Sequence, residues 1–314
     1  DFTSLQAAID AARDGDTILV RAGNYTEQTA DGSFGLVIDK SVTILGVSGE
    51  TDEPITDAQA VAATIVSGSE SSFGTNFLVS APNVTIQGVR FEAVARSHDS
   101  TLPEGAINKA FDIRAGGFAL EHSVVAAAEG YNFNGVTSAA LYFGDEAPDD
   151  LESFRVHGNV LAGGITITNG AGDSAEYSFV ITDNVVSGSH FLRVRGVVDG
   201  VAWLNAHAGL PGTVSGNDLT GVTGFLLQSW DEDSGYLADA EFVRNLIAEN
   251  VTGPYSYVTT ADGAMRTSEY EEYEGAAPAV FVNRDAASGV SIAQSGDTVH
   301  VAGVGSETVT VETS

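Results

Sequence analysis

The stretch Thr3-Ser4-Leu5-Gln6-Ala7-Ala8-Ile9-Asp10-Ala11-Ala12-Arg13-Asp14-Gly15-Asp16-Thr17-Ile18-Leu19-Val20 decides how the rest of the chain is read. Leu5, Ala8, Ile9 and Ala12 recur at i, i+3, i+4 and i+7, which puts one apolar stripe on a short helix. Thr3 and Gln6 have the T-x-x-Q spacing of a capping box. Asp14-Gly15 ends the helix, and Thr17–Val20 begins extended structure. So short a helix is unstable alone in water. It needs a surface to lie on, and the surface this order predicts is the open end of a stack of strands.

Beyond that opening, short apolar runs recur at Leu36–Ile38, Val42–Leu45, Ala63–Val66 and Val84–Ile86. A looser frame follows: an alternating strand, a polar corner, an aliphatic residue and often a glycine. It reads Val84–Phe91, Phe118–Val125, Phe154–Gly163, Phe179–Gly188, Thr213–Gly221 and Phe242–Ile247. Asn159, Asn184, Asn217 and Asn245 stand at four of the six corners. Asn tolerates left-handed backbone geometry, and stacked from coil to coil its amide can bond to the Asn above and below. Unequal intervals suit coils of one solenoid with loops of varying length. Unrelated turns in an antiparallel sandwich are the alternative these residues leave open. Abundant glycine (36 residues) and few charges (18 %) fit a β-rich chain with many turns.

The wording Ser4-Leu-Gln-Ala-Ala-Ile-Asp-Ala-Ala12, Gly15-Asp-Thr-Ile18 and Ala22-Gly-Asn-Tyr-Thr-Glu27 resembles the N-terminal cap and first coil of the pectin-lyase-like superfamily. The resemblance implies an all-β chain, a single-stranded right-handed parallel β-helix with an N-terminal capping α-helix. One domain is expected over residues 1–314: a helical cap at 1–14, coils with inserted loops at 15–275, and C-terminal strands at 276–314 that cap the far end or assemble. The superfamily includes lyases, esterases, hydrolases, epimerases, tailspikes and adhesins, so the resemblance names no activity.

The formal net charge is −30, from 43 acidic and 13 basic residues. That balance argues against nucleic acid, whose phosphates need clustered Lys and Arg, and against anionic membranes. It suits divalent cations, high salt or a surface kept soluble by repulsion. There is no cysteine, hence no disulfide or thiolate metal site. No apolar run is long enough to span a bilayer. The first residue is not Met and no signal peptide is visible, which reads as a processed chain or a segment of a longer one. Together these point to an extracellular or cell-surface protein.

Candidate sites are few. Gly23-Asn-Tyr-Thr-Glu27 resembles a Gly-x-Tyr-x-Glu segment of pectin methylesterases, but that family's other motifs are missing apart from a faint echo in Ala110-Phe-Asp112-Ile-Arg114. A lyase of acidic glycans needs a base and cations to neutralise the uronate carboxylate. His190, Arg193 and Arg195 are candidates, with Arg155 and His157 on an earlier coil and Arg114 before that. Stacked coils would gather Arg114, Arg155 and Arg193 or Arg195 into a basic groove. The plainer reading pairs these arginines with the plentiful acids. For Ca²⁺, the carboxylates Asp231 and Asp233, and Asp145, Asp149 and Asp150, are candidates, with solvated acidic loops as the alternative. Tyr255, Tyr257, Tyr270, Tyr273 and Phe281 gather aromatics that would stack on sugars or on another subunit. Finally, Gly296-Asp297-Thr298-Val299-His300-Val301 echoes Gly15-Asp16-Thr17-Ile18-Leu19-Val20, as though the end repeated the beginning.

Two functions are therefore expected. The first is a secreted or surface module with a structural, adhesive or self-assembling role, whose partner is itself or a surface polysaccharide. The second is a carbohydrate-active enzyme, a lyase of acidic glycans.

Overall fold

The computed structural model describes residues 2–49, 51–68, 75–94, 108–127, 138–144, 153–167, 178–195, 213–230, 237–250, 252–272 and 275–303. Within them the chain is mostly β and runs as successive three-strand courses. The first course holds β1 (Thr17–Val20), β2 (Gly23–Glu27) and β3 (Leu36–Ile38). The second holds β4 (Thr43–Gly46), β5 (Ala63–Ser67) and β6 (Thr75–Val79). Next come β7 (Thr85–Gln87), β8 (Arg90–Ala93) and β9 (Asn108–Ile113), then β10 (Phe118–Glu121), β11 (Val124–Ala127) and β12 (Ser138–Phe143). The fifth course is β13 (Ser153–His157), β14 (Val160–Ala162) and β15 (Gly164–Ile167). In the sixth, β16 (Ser178–Thr182) precedes one long strand, β17 (Val185–Arg195), that fills both remaining places. The seventh repeats this with β18 (Val214–Ser215) and β19 (Asp218–Trp230).

Each strand pairs in parallel with the strand at the same place in the next course, so three ladders run along the molecule. Alternate residues of all three turn to one shared core. In the first ladder Ile18, Ile44, Ile86, Leu120, Val156, Ile181 and Val214 stand in register. In the third, Phe77, Phe111, Leu141, Ile165, Leu192 and Leu227 do the same. Like side chains thus stack on like, which suits the close packing of a protein interior.

The corner between first and second ladders has two residues with separate tasks. The first is left-handed: His122 (φ 47), Gly158 (φ 67), Asp183 (φ 56) and Gly216 (φ 68). The second, buried, is Ser123, Asn159, Asn184 or Asn217. The left-handed geometry expected of the asparagines is therefore carried by the residue before each. Relieved of that task, they form a ladder. Asn184 Oδ1 accepts from Asn159 N (3.0 Å) and Asn159 Nδ2 (2.9 Å), and Asn184 Nδ2 donates to Val156 O (3.0 Å) and Asn217 Oδ1 (2.9 Å). Asn217 repeats the pattern with Asn250, at 3.0 Å from its N and 2.7 Å from its Nδ2. The last rung is Asn250, and the expected rung Asn245 is displaced. Phe242–Ile247 belongs to helix α2 (Ala240–Ala248), capped by Asp239, which accepts from Phe242 N at 2.8 Å. Phe242, Val243 and Leu246 are its buried face.

At the start, helix α1 spans Leu5–Ala11. Its N-cap is Ser4, whose hydroxyl accepts from Ala7 N, so the Thr3–Gln6 capping box does not form. The buried Glu27 carboxylate does the larger part of the capping, accepting from Leu5 N (2.5 Å), Gln6 N (3.2 Å) and Ser4 Oγ (2.8 Å). An anion at a helix N-terminus is favourable. At the other end Lys40 Nζ donates to Ile9 O (2.9 Å) and Asp10 O (2.5 Å). Gln6 bonds instead to β3, its Oε1 accepting from Val37 N (2.8 Å) and its Nε2 donating to Val37 O (3.1 Å).

Parallel pairing ends with β19, short of residue 275. The remaining elements are β20 (Tyr255–Thr259), β21 (Ser268–Glu272), β22 (Gly275–Asn283), helix α3 (Ala286–Ile292) and β23 (Thr298–Ala302). They pair antiparallel, and β22 covers the edge of β19 with Leu227 opposite Val282.

Candidate functional site

One column of the third ladder departs from the usual logic of a sheet's outer face. Asp112, Tyr142, Thr166, Arg193 and Gln228 stand in register on β9, β12, β15, β17 and β19. Each of the first four lies between two core residues, and Gln228 follows core Leu227, so all five face away from the core. Yet each is at most 3 % exposed. At a strand spacing of about 4.8 Å the strip is roughly 19 Å long.

Its polar groups are only partly matched. Asp112 Oδ2 meets Arg114 Nη2 at 3.0 Å and Lys109 Nζ at 3.4 Å, and Lys109 sits 3.5 Å from the Tyr142 ring centre. Arg193 Nε donates to Gln228 Oε1 at 3.0 Å. Asp112 Oδ1, Thr166 Oγ1 and Gln228 Nε2 are buried without a hydrogen-bond partner. Each such group costs about 1–3 kcal/mol when left unsatisfied. Three on one strip call for an explanation in a native protein.

Past Gln228 the strip becomes aromatic. Phe281 is next in register and packs edge-on against Phe225 (6.1 Å) and Tyr270 (6.1 Å). Phe225 also stacks on His190 (5.4 Å) and lies 5.6 Å from the Arg193 guanidinium carbon. His190 is buried, and its Nε2 has no partner. Burial, helped by the Arg193 charge, holds its imidazole well below the ordinary 6.5, so it is neutral. It packs over Gly164, where a Cβ would come 2.7 Å from the His190 carbonyl oxygen.

The expected basic groove is thus redrawn. Arg114 and Arg193 belong to the third ladder's outer face. Arg195 ends β17 opposite Trp230, on the register line beside Arg193. Arg155 and His157 lie on the first ladder, across the corner. Arg155 pairs with Glu121 at 2.5 Å, with 46 % of its side chain exposed, and His157 Nδ1 is 2.9 Å from Thr182 Oγ1 and 3.5 Å from Asp183 Oδ2. The reason is topological: three strands per course separate β13 from β9 and β17. Asp145, Asp149, Asp150, Asp231 and Asp233 lie outside the described residues. Among the described residues no three His, Asp or Glu side chains come together to hold a metal, and no helix is long and apolar enough to cross a membrane.

Asp112 entered the sequence reading only within the Ala110–Arg114 echo, and Lys109, Tyr142, Thr166 and Gln228 were not singled out by it. The signal for Asp112, Tyr142 and Thr166, as for Arg193, is one polar or phenolic residue between two apolar ones, in Phe111-Asp-Ile113, Leu141-Tyr-Phe143, Ile165-Thr-Ile167 and Leu192-Arg-Val194, while Gln228 follows Leu227 and precedes the polar Ser229. Among the described residues Lys109, Arg114 and Arg193 stand on this strip beside one carboxylate, Asp112, on a chain of net charge −30. A row of donors and acceptors that includes cations and ends in aromatic faces has the chemistry to bind an anionic, hydroxyl-rich ligand.

A scan of protein-family models finds no match to the chain, and no curated protein or solved structure is significantly similar to it.

Proposed function

We propose that the chain is a right-handed parallel β-helix module of a secreted or cell-surface protein, and that it binds an acidic glycan along the strip Asp112–Gln228. The fold reading rests on three ladders in which each strand meets its counterpart one course on. The binding reading rests on one observation: three unpartnered buried polar atoms, Asp112 Oδ1, Thr166 Oγ1 and Gln228 Nε2, on the third, fifth and seventh courses beside Arg193 and Lys109. A uronate supplies carboxylates for the cations and hydroxyls for the orphaned groups, and sugar faces stack on Phe281 and Tyr270. The test is calorimetric titration with oligogalacturonate and oligoguluronate against uncharged cello-oligosaccharides. Binding of a uronate oligomer alone, lost in Arg193→Gln, supports the reading, and equal or absent binding of all three rejects it.

A lyase is the second reading, favoured by the neutral His190, whose Nε2 has no partner, beside Arg193. A neutral imidazole can take the proton next to a uronate carboxylate whose charge an arginine has neutralised. Appearance of an unsaturated product, absorbing in the near ultraviolet and lost in His190→Gln, separates catalysis from binding.

A further inference from the structure

The echo at the end of the chain is a structural duplicate. Ser4 and Asp285 are N-caps, each accepting from the backbone three residues on, at Ala7 and Ser288. Helices Leu5–Ala11 and Ala286–Ile292 have equal length and end at extended Ala12 and Ala293. Asp16 Oδ2 accepts from Arg13 N, and Asp297 Oδ2 from Gln294 N, both at 2.8 Å. Gly15 (φ 87) and Gly296 (φ 92) make the same turn before Thr17 and Thr298. Residue for residue, α3–β23 is a second copy of α1–β1.

What differs is the neighbour on one strand edge. In β1, Asp16 O and Val20 O accept from Thr43 N and Val47 N. By alternation Thr17 and Leu19 turn their peptide groups to the opposite edge, which carries no strand among the described residues. In β20, Val258 O accepts from Arg266 N and Thr260 N donates to Ala264 O, so Tyr257 and Thr259 turn toward β23. There they face His300 and Thr298, the counterparts of Leu19 and Thr17. The strand β20 therefore occupies on the second copy the edge that is bare on the first.

The side chains agree. Tyr257 stacks on His300 at 4.3 Å, whereas Leu19 is 48 % exposed. Arg266 grips Asp297 with two bonds (2.7 and 2.5 Å), whereas Asp16 is exposed. One contact differs: Ser256 lies against Gly289, where a Cβ would come 2.8 Å from the serine Oγ, and the counterpart there is Ala8, so the serine has to shift to seat on the first copy. A cleft of about 570 Å³ opens between α1 and β1, lined by Phe2, Leu5, Ala8, Ala12, Asp16 and Leu19 among others.

We propose that this cleft is a docking site for the hairpin Tyr255–Arg266 of another copy of the fold, so that modules join head to tail. The incoming strand pairs antiparallel with β1 through Thr17 and Leu19, its tyrosine covers Leu19, and its arginine binds the Asp16 carboxylate. The α3–β23 unit, with its hairpin in place, displays the joint within a single chain. This inference is independent of glycan binding.

The test is a tandem chain: residues 1–284 of one copy followed directly by residues 4–314 of a second. Ser4–Val20 of the second copy then stands where Asp285–Val301 stood. Amides of Tyr255–Thr259 in the first copy are expected to stay as protected from hydrogen exchange as in the single chain. Asp16→Asn in the second copy is expected to speed their exchange about tenfold through loss of the charge-assisted bonds. Gly289→Ala in the single chain measures the effect of the added methyl. If that substitution unseats the hairpin, the native Ala8 cannot accept it either, and the proposal is overturned. Loss of protection at Tyr255–Thr259 while both asparagine ladders remain protected overturns the proposal, as does a tandem that fails to fold, since the splice leaves both sets of courses whole.

Discussion

Two buried polar columns run along this molecule and treat their hydrogen bonds in opposite ways. The asparagine ladder at the first corner closes its account: Asn159, Asn184 and Asn217 each accept two bonds at most and donate two through Nδ2, all within the protein. The outer strip from Asp112 to Gln228 is buried as deeply and leaves three polar atoms without partners. A fully satisfied network fixes register and a partly satisfied one costs stability. The difference separates the column that holds the courses in register from the one that keeps hydrogen-bonding capacity unspent.

The largest effect that would break this comparison is expected in the ladder. Asn184→Leu leaves Asn159 N without an acceptor and takes one partner each from Asn159 Nδ2, Val156 O and Asn217 Oδ1, and chemical denaturation should show a loss of about 3 kcal/mol or more. Next is a pH effect at the edge of the strip. The His190 pKa is lowered by burial, so below 6.5 the unfolded chain takes up a proton that the folded chain refuses. Stability contributed by neutral His190 is thus complete above 6.5 and is lost as pH falls below it, by up to about 1.4 kcal/mol per pH unit. His190→Phe should flatten that acid limb, leaving the smaller share of His300, whose pKa burial also lowers. Thr166→Val removes an orphaned hydroxyl and should stabilise the chain by about 1 kcal/mol in the same denaturation while weakening oligouronate binding. Smallest is Arg155→Ala. Its exposed pair with Glu121 is worth at most about 0.5 kcal/mol, and binding should not change, in contrast to Arg193→Gln.

The cap helix, its turn and the first strand were legible because their apolar spacing and Gly15 leave little choice. So was the polar ladder, through Asn159, Asn184 and Asn217. Asn245 misled because Phe242-Val-Arg-Asn-Leu-Ile247 carries both strand-like alternation and the helical set Phe242, Val243 and Leu246. The Asp239 cap, which settles the matter, lies outside that window. At the site, Arg114 and Arg193 could be picked as rare cations, but Arg155 could not be separated from them without knowing how many strands make a course. Asp112 and Gln228 were hidden by being single polar residues in apolar strands, a pattern that gains meaning once the strands are aligned. Glu27 was visible in its pentad, but its partners at Leu5 and Gln6 are a matter of tertiary distance.

Gln6 carries a last consequence. Its side-chain amide meets the N–H and C=O of Val37 as a neighbouring peptide would, and so acts as a one-residue false strand on the third ladder. Bare β edges invite indiscriminate fibre growth. With that edge insulated, and the edges of β1 and β2 without a strand among the described residues, any addition at this end is steered away from the third ladder, which narrows the geometry a polymer of this fold could take.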